Sequence, residues 1–442
     1  MQARTLPQAI EDAAKAEPSR GFRFIPDTGV PGFSAFEPGA AAAAPFPSDG
    51  MVPVDPSETY LSFTAIERVS ARFGGAFQAL GLRKGDRLAL ILPNNDDFVL
   101  CFLGAIRAGI VPVPIYPPMA LGQLQAYVDN TRHIVAKSGA RALVTTGKIK
   151  RLLGTVQASS PALEQVVAVE GIRESTEPLK PERITLEDVA FLQFTSGSTS
   201  RPKGVTLTHA NLAANIKCIM DQGLRIRPED TAVSWLPLFH DMGLIGFVLA
   251  PIYYTVPIVY LPALLFLKRP VSWLQAFTRH KAHIAYAPNF GYALCVKRIK
   301  QADLAGIDLS NWRVAGCGAE PIRPETLEGV CEAFAPAGFR REAFLPSYGM
   351  AESSLAVAFS ELDQGMKTIS VDGPTLWTKG EAVSASDDAE GGVRLVSCGK
   401  EFPEHSVKVF EMDDAQRESL AGVIKELEAA LEQGSLPKPT TE

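Results

Sequence analysis

Cysteine is scarce and scattered. Cys101, Cys218, Cys295, Cys317, Cys331 and Cys398 form neither a close-spaced ligand cluster nor the disulfide density of a small secreted scaffold, so a reducing, cytoplasmic setting is expected. Excess basic charge is lacking too: 43 Lys and Arg against 49 Asp and Glu give a net charge of -6. That balance argues against a dedicated nucleic-acid binder, although it leaves room for a local basic groove. No uninterrupted apolar run is long enough to form a stable membrane span. The longest candidate, LIGFVLAPIYYTVPIVYLPALLFL, is broken by Pro251, Pro257 and Pro262 and reads as buried helix and strand. The N-terminus, MQARTLPQAIEDAAKAEP, has charges throughout and no apolar core before a cleavage signal, which speaks against export.

What is present is a large packed protein. A hydrophobic content of 46% over 442 residues predicts at least two cores or lobes. After a turn-rich lead-in containing AAAAA, the stretch SFTAIERVSARFGGAFQALG places Ile66, Val69, Phe73, Phe77 and Leu80 at helical spacing, with Gly81 to end the turn. DRLALILP then reads as a strand covered on both faces, and NNDDFVLCFLGAIRAG as a helix. IVPVPIYPP is strand-like, but its prolines put it at an edge or a strand end. HIVAKSG followed by ARALVTTG, and later LEQVVAVEG, repeat the cycle. Alternating strands and helices predict an α/β architecture with a mainly parallel sheet.

A second set of units begins with VAFLQF at Val189, followed by the helix THANLAANIKCIMDQGL and by the candidate strands HIAYAP and WRVAGCG. Chemistry in an open sheet gathers at the carboxyl ends of its strands, so these junctions are where a site is expected. Residues 361–392 are polar and turn-rich, with a weak strand signal near TISV, before the apolar strand VRLVSCG. Met366, Ile369, Val371, Leu376 and Trp377 suit a loop anchored to the surface at several points. Near the end, Asp413 and Gln416 are placed to cap a helix whose apolar stripe is Leu420, Val423, Ile424, Leu427 and Leu431. The expected division is a first α/β subdomain over 1–188, a second over 189–360, an insertion over 361–392, and a β-rich return with the amphipathic helix over 393–442.

The chemistry-bearing stretch is FLQFTSGSTSRPKGV, residues 191–205. Thr195, Ser196, Ser198, Thr199 and Ser200 offer hydroxyl donors, Gly197 lets the backbone approach closely, and Lys203 adds charge to neutralise a polyphosphate. Gly204 follows Lys203 where a Walker motif needs Ser or Thr, so the P-loop NTPase reading is weak. On composition alone an ordinary Ser/Gly surface loop stays open.

TSGSTSRPKGV followed by THANL resembles the phosphate-binding signature of the adenylate-forming superfamily, whose members activate a carboxylic acid with ATP as an acyl adenylate. The resemblance implies that the loop wraps the β- and γ-phosphates, with Lys203 as a loop lysine. Further blocks follow in the family's order. SWLPLFHDMGLIG puts His240 where acyl carboxylate and α-phosphate meet. An orienting, charge-stabilising role is expected there, not that of a general base, because a carboxylate nucleophile is already ionised at neutral pH. In VAGCGAEPI, the residues Gly318, Ala319 and Glu320 resemble the segment beside the adenine. In LPSYGMAESSL, Tyr348 resembles the adenine-stacking tyrosine, Gly349 and Met350 the backbone beside the base, and Glu352 the carboxylate that coordinates Mg²⁺, a hard cation suited to oxygen ligands. Ala351 replaces a threonine frequent in the superfamily.

The wording of LQFTSGST, PLFHDMGLIG and VSCG, together with Ala351 and the position of residues 361–392, resembles the fatty acyl-AMP ligase branch. The fold implied is that family's large domain, with layered β-sheets, surrounding helices and a small β-rich subdomain. After VSCGKEFPEHSVKVF the sequence lacks the family's ribose-binding aspartate, hinge and small C-terminal domain with its adenylation lysine, so slow turnover is expected of this form. The activity implied is attack of a long-chain fatty acid carboxylate on the α-phosphorus of ATP, with Mg²⁺ as cofactor. Transfer to the phosphopantetheine thiol of a holo acyl carrier protein, or of a polyketide or nonribosomal synthase carrier domain, would follow. The insertion would disfavour coenzyme A. An acyl-CoA ligase shares nearly all the nucleotide residues, an aryl or amino acid adenylating domain would have a short, polar substrate pocket, and a lipid- or nucleotide-binding remnant is the non-enzymatic alternative. An acyl tail needs an apolar channel, for which Met242, Gly243, Leu244, Ile245, Phe247, Tyr286, Phe290 and Tyr292 are candidate walls beside His240, though each would also be unexceptional core.

Overall fold

The computed structural model describes residues 3–26, 58–93, 95–118, 124–195, 201–387, 389–403 and 405–407. Residues 27–57 of the expected lead-in, the hydroxyl-rich residues 196–200 and the amphipathic C-terminal helix therefore lie outside the described residues; the two ends of that lead-in are not irregular but form the antiparallel pair Gly21–Phe24 and Thr59–Ser62.

The first expected helix forms as Phe63–Ala79. The Ser62 hydroxyl accepts the Ala65 N–H at its start, and Ile66, Val69, Phe73 and Phe77 are buried along one face. DRLALILP yields the strand Arg87–Ile91, which belongs to a four-stranded parallel sheet in the order Val111–Pro114, Arg87–Ile91, Ala140–Thr145, Gln165–Ala168. Both faces of this sheet are covered. Leu88 and Leu90 join the larger core, whereas Ala89 and Ile91 join a second one with Val113, Val135 and Leu143. That double burial is why the segment reads as a continuous apolar run. The proline-rich strand takes the edge, where Pro112 and Pro114 deprive no further neighbour of a donor.

The larger sheet has nine strands, in the order Lys400–Glu401, Ala356–Phe359, Phe344–Gly349, Val314–Cys317, Ile284–Ala287, Ala232–Ser234, Ile258–Tyr260, Gly21–Phe24, Thr59–Ser62. The run from Phe344–Gly349 to Gly21–Phe24 is parallel, and antiparallel pairings flank it on both sides. HIAYAP and WRVAGCG sit side by side at its centre, with Tyr286 opposite Gly316. A Cβ on Gly316 would lie 2.2 Å from the Tyr286 ring, so only glycine leaves that ring its place.

Two expectations need correction. VAFLQF does not enter a parallel sheet; Val189–Thr195 pairs antiparallel with Lys203–Thr208 as a separate two-stranded hairpin. An apolar run reveals burial but not the partner strand, and here the partner lies just beyond the loop. Residues 361–392 are also not merely a loop. Thr368–Asp372 pairs antiparallel with Gly392–Val396, and Asp372 caps a short helix, Gly373–Lys379, by accepting the Thr375 N–H at 2.8 Å. Met366 packs on the main core and Val371 is buried, but Ile369 is 59% and Trp377 39% exposed, so those two do not serve as buried anchors. The hairpin is tied down instead by Arg394, whose guanidinium reaches Glu328 at 2.6 and 3.2 Å on the helix Pro324–Phe334.

Among the described residues, no helix is long and apolar enough to cross a membrane.

Candidate active site

Four parallel strands deliver their carboxyl ends to one cavity of about 270 Å³. The loop after Ala232–Ser234 brings His240, Asp241 and Met242; Ile284–Ala287 brings Tyr286; Val314–Cys317 leads to Gly318 and Ala319; and Phe344–Gly349 leads through Tyr348 to Glu352. Thr195, at the end of the hairpin strand, joins them. This is the junction expected from an open α/β sheet.

One side of the cavity is open and polar. Tyr348 is 51% exposed and Met350 is exposed beside it, while Ala351–Ser353 makes a single 3₁₀ turn that presents the exposed Glu352 carboxylate. Behind them Gly318 lies so close to the Ser347 carbonyl that a Cβ would stand 2.7 Å from its oxygen, and Ala319 holds a left-handed φ of 69°. Backbone, a free aromatic face and an outward carboxylate thus surround the opening. This donor set fits a purine ring and a hard cation held near phosphate.

The other side is apolar. Met242, Phe247 and Tyr286 line it as expected, together with Ile219, Met220, Leu224, Val256 and Ile258. Two π-helical turns, Cys218–Gly223 and Ile245–Leu249, border the cavity and supply Ile219, Met220, Gly246 and Phe247. The Tyr286 hydroxyl meets the Ser347 hydroxyl at 3.4 Å, and Ser347 donates to the Leu345 carbonyl at 2.9 Å.

His240 stands between the two sides. Its Nδ1 is 2.6 Å from Asp241 Oδ1, and Asp241 also accepts the Met242 N–H at 2.7 Å. The Asp241 carboxylate raises the His240 pKa above the ordinary imidazole value against partial desolvation, on a side chain that is still 57% exposed.

Other expected residues fall elsewhere. Leu244, Ile245 and Tyr292 are fully buried core, with the Tyr292 hydroxyl donating to the Gly316 carbonyl at 3.0 Å. Gly243 is buried against Pro237. Phe290 is 41% exposed and stands edge-on to Trp235. The Glu320 carboxylate accepts the Phe290 N–H at 2.6 Å, capping the helix Asn289–Arg298 outside the cavity lining. Lys203 is exposed and pairs opposite Thr195, at the point where the phosphate-type loop rejoins the hairpin. Ser196, Gly197, Ser198 and Thr199 lie outside the described residues.

Polar residues not singled out from the sequence also shape the site. Asp241 orients His240, a role that adjacency in FHDMG makes readable. Asn215 brackets Ala356 of the cavity wall, donating to its carbonyl at 2.7 Å and accepting its N–H at 3.0 Å. A lone Asn within a helical pattern carries no such signal.

The sequence and fold have counterparts among known proteins. The family model described as AMP-binding enzyme matches residues 40–421, and the chain belongs to that adenylate-forming family, whose members use ATP and Mg²⁺. A putative acyl-CoA synthetase of Caulobacter vibrioides is 38% identical over 338 residues, 76% of this chain and 59% of that protein. A 4-hydroxyphenylalkanoate adenylyltransferase of Mycobacterium marinum is 32% identical over 350 residues, 78% of this chain and 55% of that protein. The chain therefore spans somewhat over half the length of these relatives. A solved structure from a study of fatty acyl-adenylate ligases of E. coli and L. pneumophila superposes with a TM-score of 0.81 at 33% identity, covering 93% of this chain and 69% of that one. The fold is the large-domain fold of adenylate-forming enzymes.

Proposed function

We propose that the protein activates a long-chain fatty acid with ATP, forming acyl-adenylate and pyrophosphate, and passes the acyl group to a carrier-protein phosphopantetheine thiol. The observation that carries this reading is a single cavity whose polar mouth and apolar chamber meet at His240. An acyl tail desolvated by Met220, Phe247 and Ile258 would bring its carboxylate up to the rim, where a nucleotide lying along Tyr348–Met350 would present its α-phosphorus. The carboxylate oxygen forms the new P–O bond, the bond to the bridging oxygen breaks, and pyrophosphate leaves.

The two reactants are both anionic, so alignment and charge matter more than proton removal. His240, kept towards its protonated form by Asp241, supplies a positive donor at the meeting point. Thr195 and Lys203 would hold the terminal phosphates at the hairpin end, with the loop between them. Glu352 would hold Mg²⁺, whose charge offsets that of the phosphates when bound.

Pyrophosphate release and direct product analysis, with acids of graded length and with coenzyme A against holo carrier protein, test the proposal. Acyl-AMP and acyl-carrier products from long acids are expected. Preference for short aryl acids would overturn the substrate reading, and equal use of coenzyme A would favour an acyl-CoA ligase.

A further inference from the structure

Gln193 lies two residues before Thr195 in the hairpin strand Val189–Thr195, paired with Val205, and is 3% exposed. Its side-chain Nε2 donates to the Phe239 carbonyl at 3.1 Å and to the Phe194 carbonyl at 3.4 Å. Two carbonyl oxygens around one nitrogen fix the amide's orientation, because the reversed amide would set oxygen against oxygen. Among the described residues, the buried Oε1 then has no hydrogen-bond partner. A methionine of similar length would fill the space with no amide to satisfy, so the two donated bonds are what the amide adds here.

What the amide does provide is a link between two parts of the site that are far apart in sequence. Phe239 immediately precedes His240, and the surrounding backbone bonds, His240 N–H to Pro237 at 3.2 Å and Leu244 N–H to His240 at 2.8 Å, are local. Gln193 connects that loop to the strand carrying Thr195, and both Thr195 and His240 face the cavity. We infer that Gln193 is a positioning residue for adenylation, holding the His240 loop in fixed relation to the strand that enters the phosphate-type loop. It acts through backbone and touches no reactant. The inference rests on the adenylation reading above.

The test is Gln193→Met, examined in three ways. Acyl-AMP formation should lose turnover by on the order of ten- to a hundredfold, as expected for a misplacement of about 1 Å, with KM for acid and ATP unchanged. Thermal stability should equal or exceed that of the parent. The His240 ring, followed by NMR in the ligand-free protein, should titrate closer to an ordinary imidazole as its alignment on Asp241 loosens. An unchanged His240 titration in a folded variant overturns the inference, whether activity is retained or falls only in step with stability. If the parent protein makes no acyl-AMP, the adenylation reading fails, and the ligand-free titration alone decides whether Gln193 positions His240. Should Gln193→Met not fold, Gln193→Glu keeps the length, replaces the donating nitrogen with oxygen and serves for the same measurements.

Discussion

His240 Nδ1 and Asp241 Oδ1 are 2.6 Å apart, and the same carboxylate oxygen accepts the Met242 N–H in the first turn of the short helix Asp241–Leu244. The charge of the imidazole is thus favoured by its own neighbour in sequence. Because the folded-state pKa of His240 is raised, the pair is fully formed below the ordinary imidazole value and is lost as pH rises through the folded value. Asp241→Asn can keep the acceptor for Met242 but removes the charge. The expected result is a lower His240 pKa, adenylation confined to lower pH, and a loss at pH 7 of roughly tenfold or more. A pH–rate profile unchanged from the parent would dissociate Asp241 from the chemistry.

Glu352 projects from the turn Ala351–Ser353 at the polar mouth and is exposed. Glu352→Gln preserves its size and removes the charge that attracts a hard cation. Acyl-AMP formation should then need more Mg²⁺ and fall by roughly a hundredfold at fixed metal, with little change in thermal stability. A parental Mg²⁺ titration curve would mean that another group faces the metal.

Much of this was readable in the sequence because local periodicity and local burial coincide there. Ile66, Val69, Phe73 and Phe77 announce one helix, and the run Leu88–Ile91 announces a strand covered on both faces. The polar half of the site was readable for a related reason: Tyr348, Met350 and Glu352 are neighbours on one short stretch that ends a strand. The apolar half was not. Met220, Val256 and Ile258 come from separate elements and look like any core residue until the chain folds, just as Leu244 and Tyr292 look like channel walls and are core. The hairpin partner of Val189–Thr195 was hidden likewise, since pairing is a property of two segments.

Gly246 gives access to the chamber. It lies on a π-helical turn, and a Cβ built on it meets its first neighbour, Leu355, at 3.6 Å, so the first carbon fits and anything longer enters the cavity. Gly246→Leu should raise KM for long acids by about tenfold while sparing short acids and ATP, the penalty expected when a few methylenes lose their space. Equal losses for acids of every length would mean that the tail does not run past Gly246.

His209 tests a different link, between the N-terminal segment and the helix that follows the hairpin. It is 2% exposed, and its Nδ1 accepts the Leu6 N–H at 3.2 Å, which requires an unprotonated nitrogen. Burial lowers its pKa to about 4. A depressed histidine pKa means that the unfolded chain binds the proton first, so stability is full above about pH 6.5 and declines as pH falls towards 4, by on the order of 3 kcal/mol. Half-buried His280 and His283 act in the same direction, so the comparison must be with a variant. Denaturant midpoints of His209→Gln, whose amide oxygen can still accept from Leu6, should show a shallower decline between pH 7 and 4.5. Parallel profiles would show that His209 is not the group titrating.

The hairpin of Thr368–Asp372 and Gly392–Val396 offers the final test, because its polar attachment runs through one side chain. Arg394 meets Glu328 at 2.6 and 3.2 Å and Glu325 at 3.7 Å, and it holds the Glu328 carboxyl below its usual range. Since Ile369 and Trp377 face solvent, the apolar burial left to hold the hairpin is mainly that of Val371. Arg394→Ala should therefore speed amide exchange in Thr368–Asp372 and Gly392–Val396 while leaving Val314–Cys317, deep in the nine-stranded sheet, unchanged. If the hairpin restricts thiol access as the fatty acyl-AMP ligase resemblance implies, the loosened protein should also make more acyl-CoA when coenzyme A is supplied, at an undiminished rate of acyl-AMP formation. Faster local exchange with no gain of acyl-CoA would confirm the tether and dismiss the gate; unchanged exchange would show that the hairpin is held by something other than Arg394.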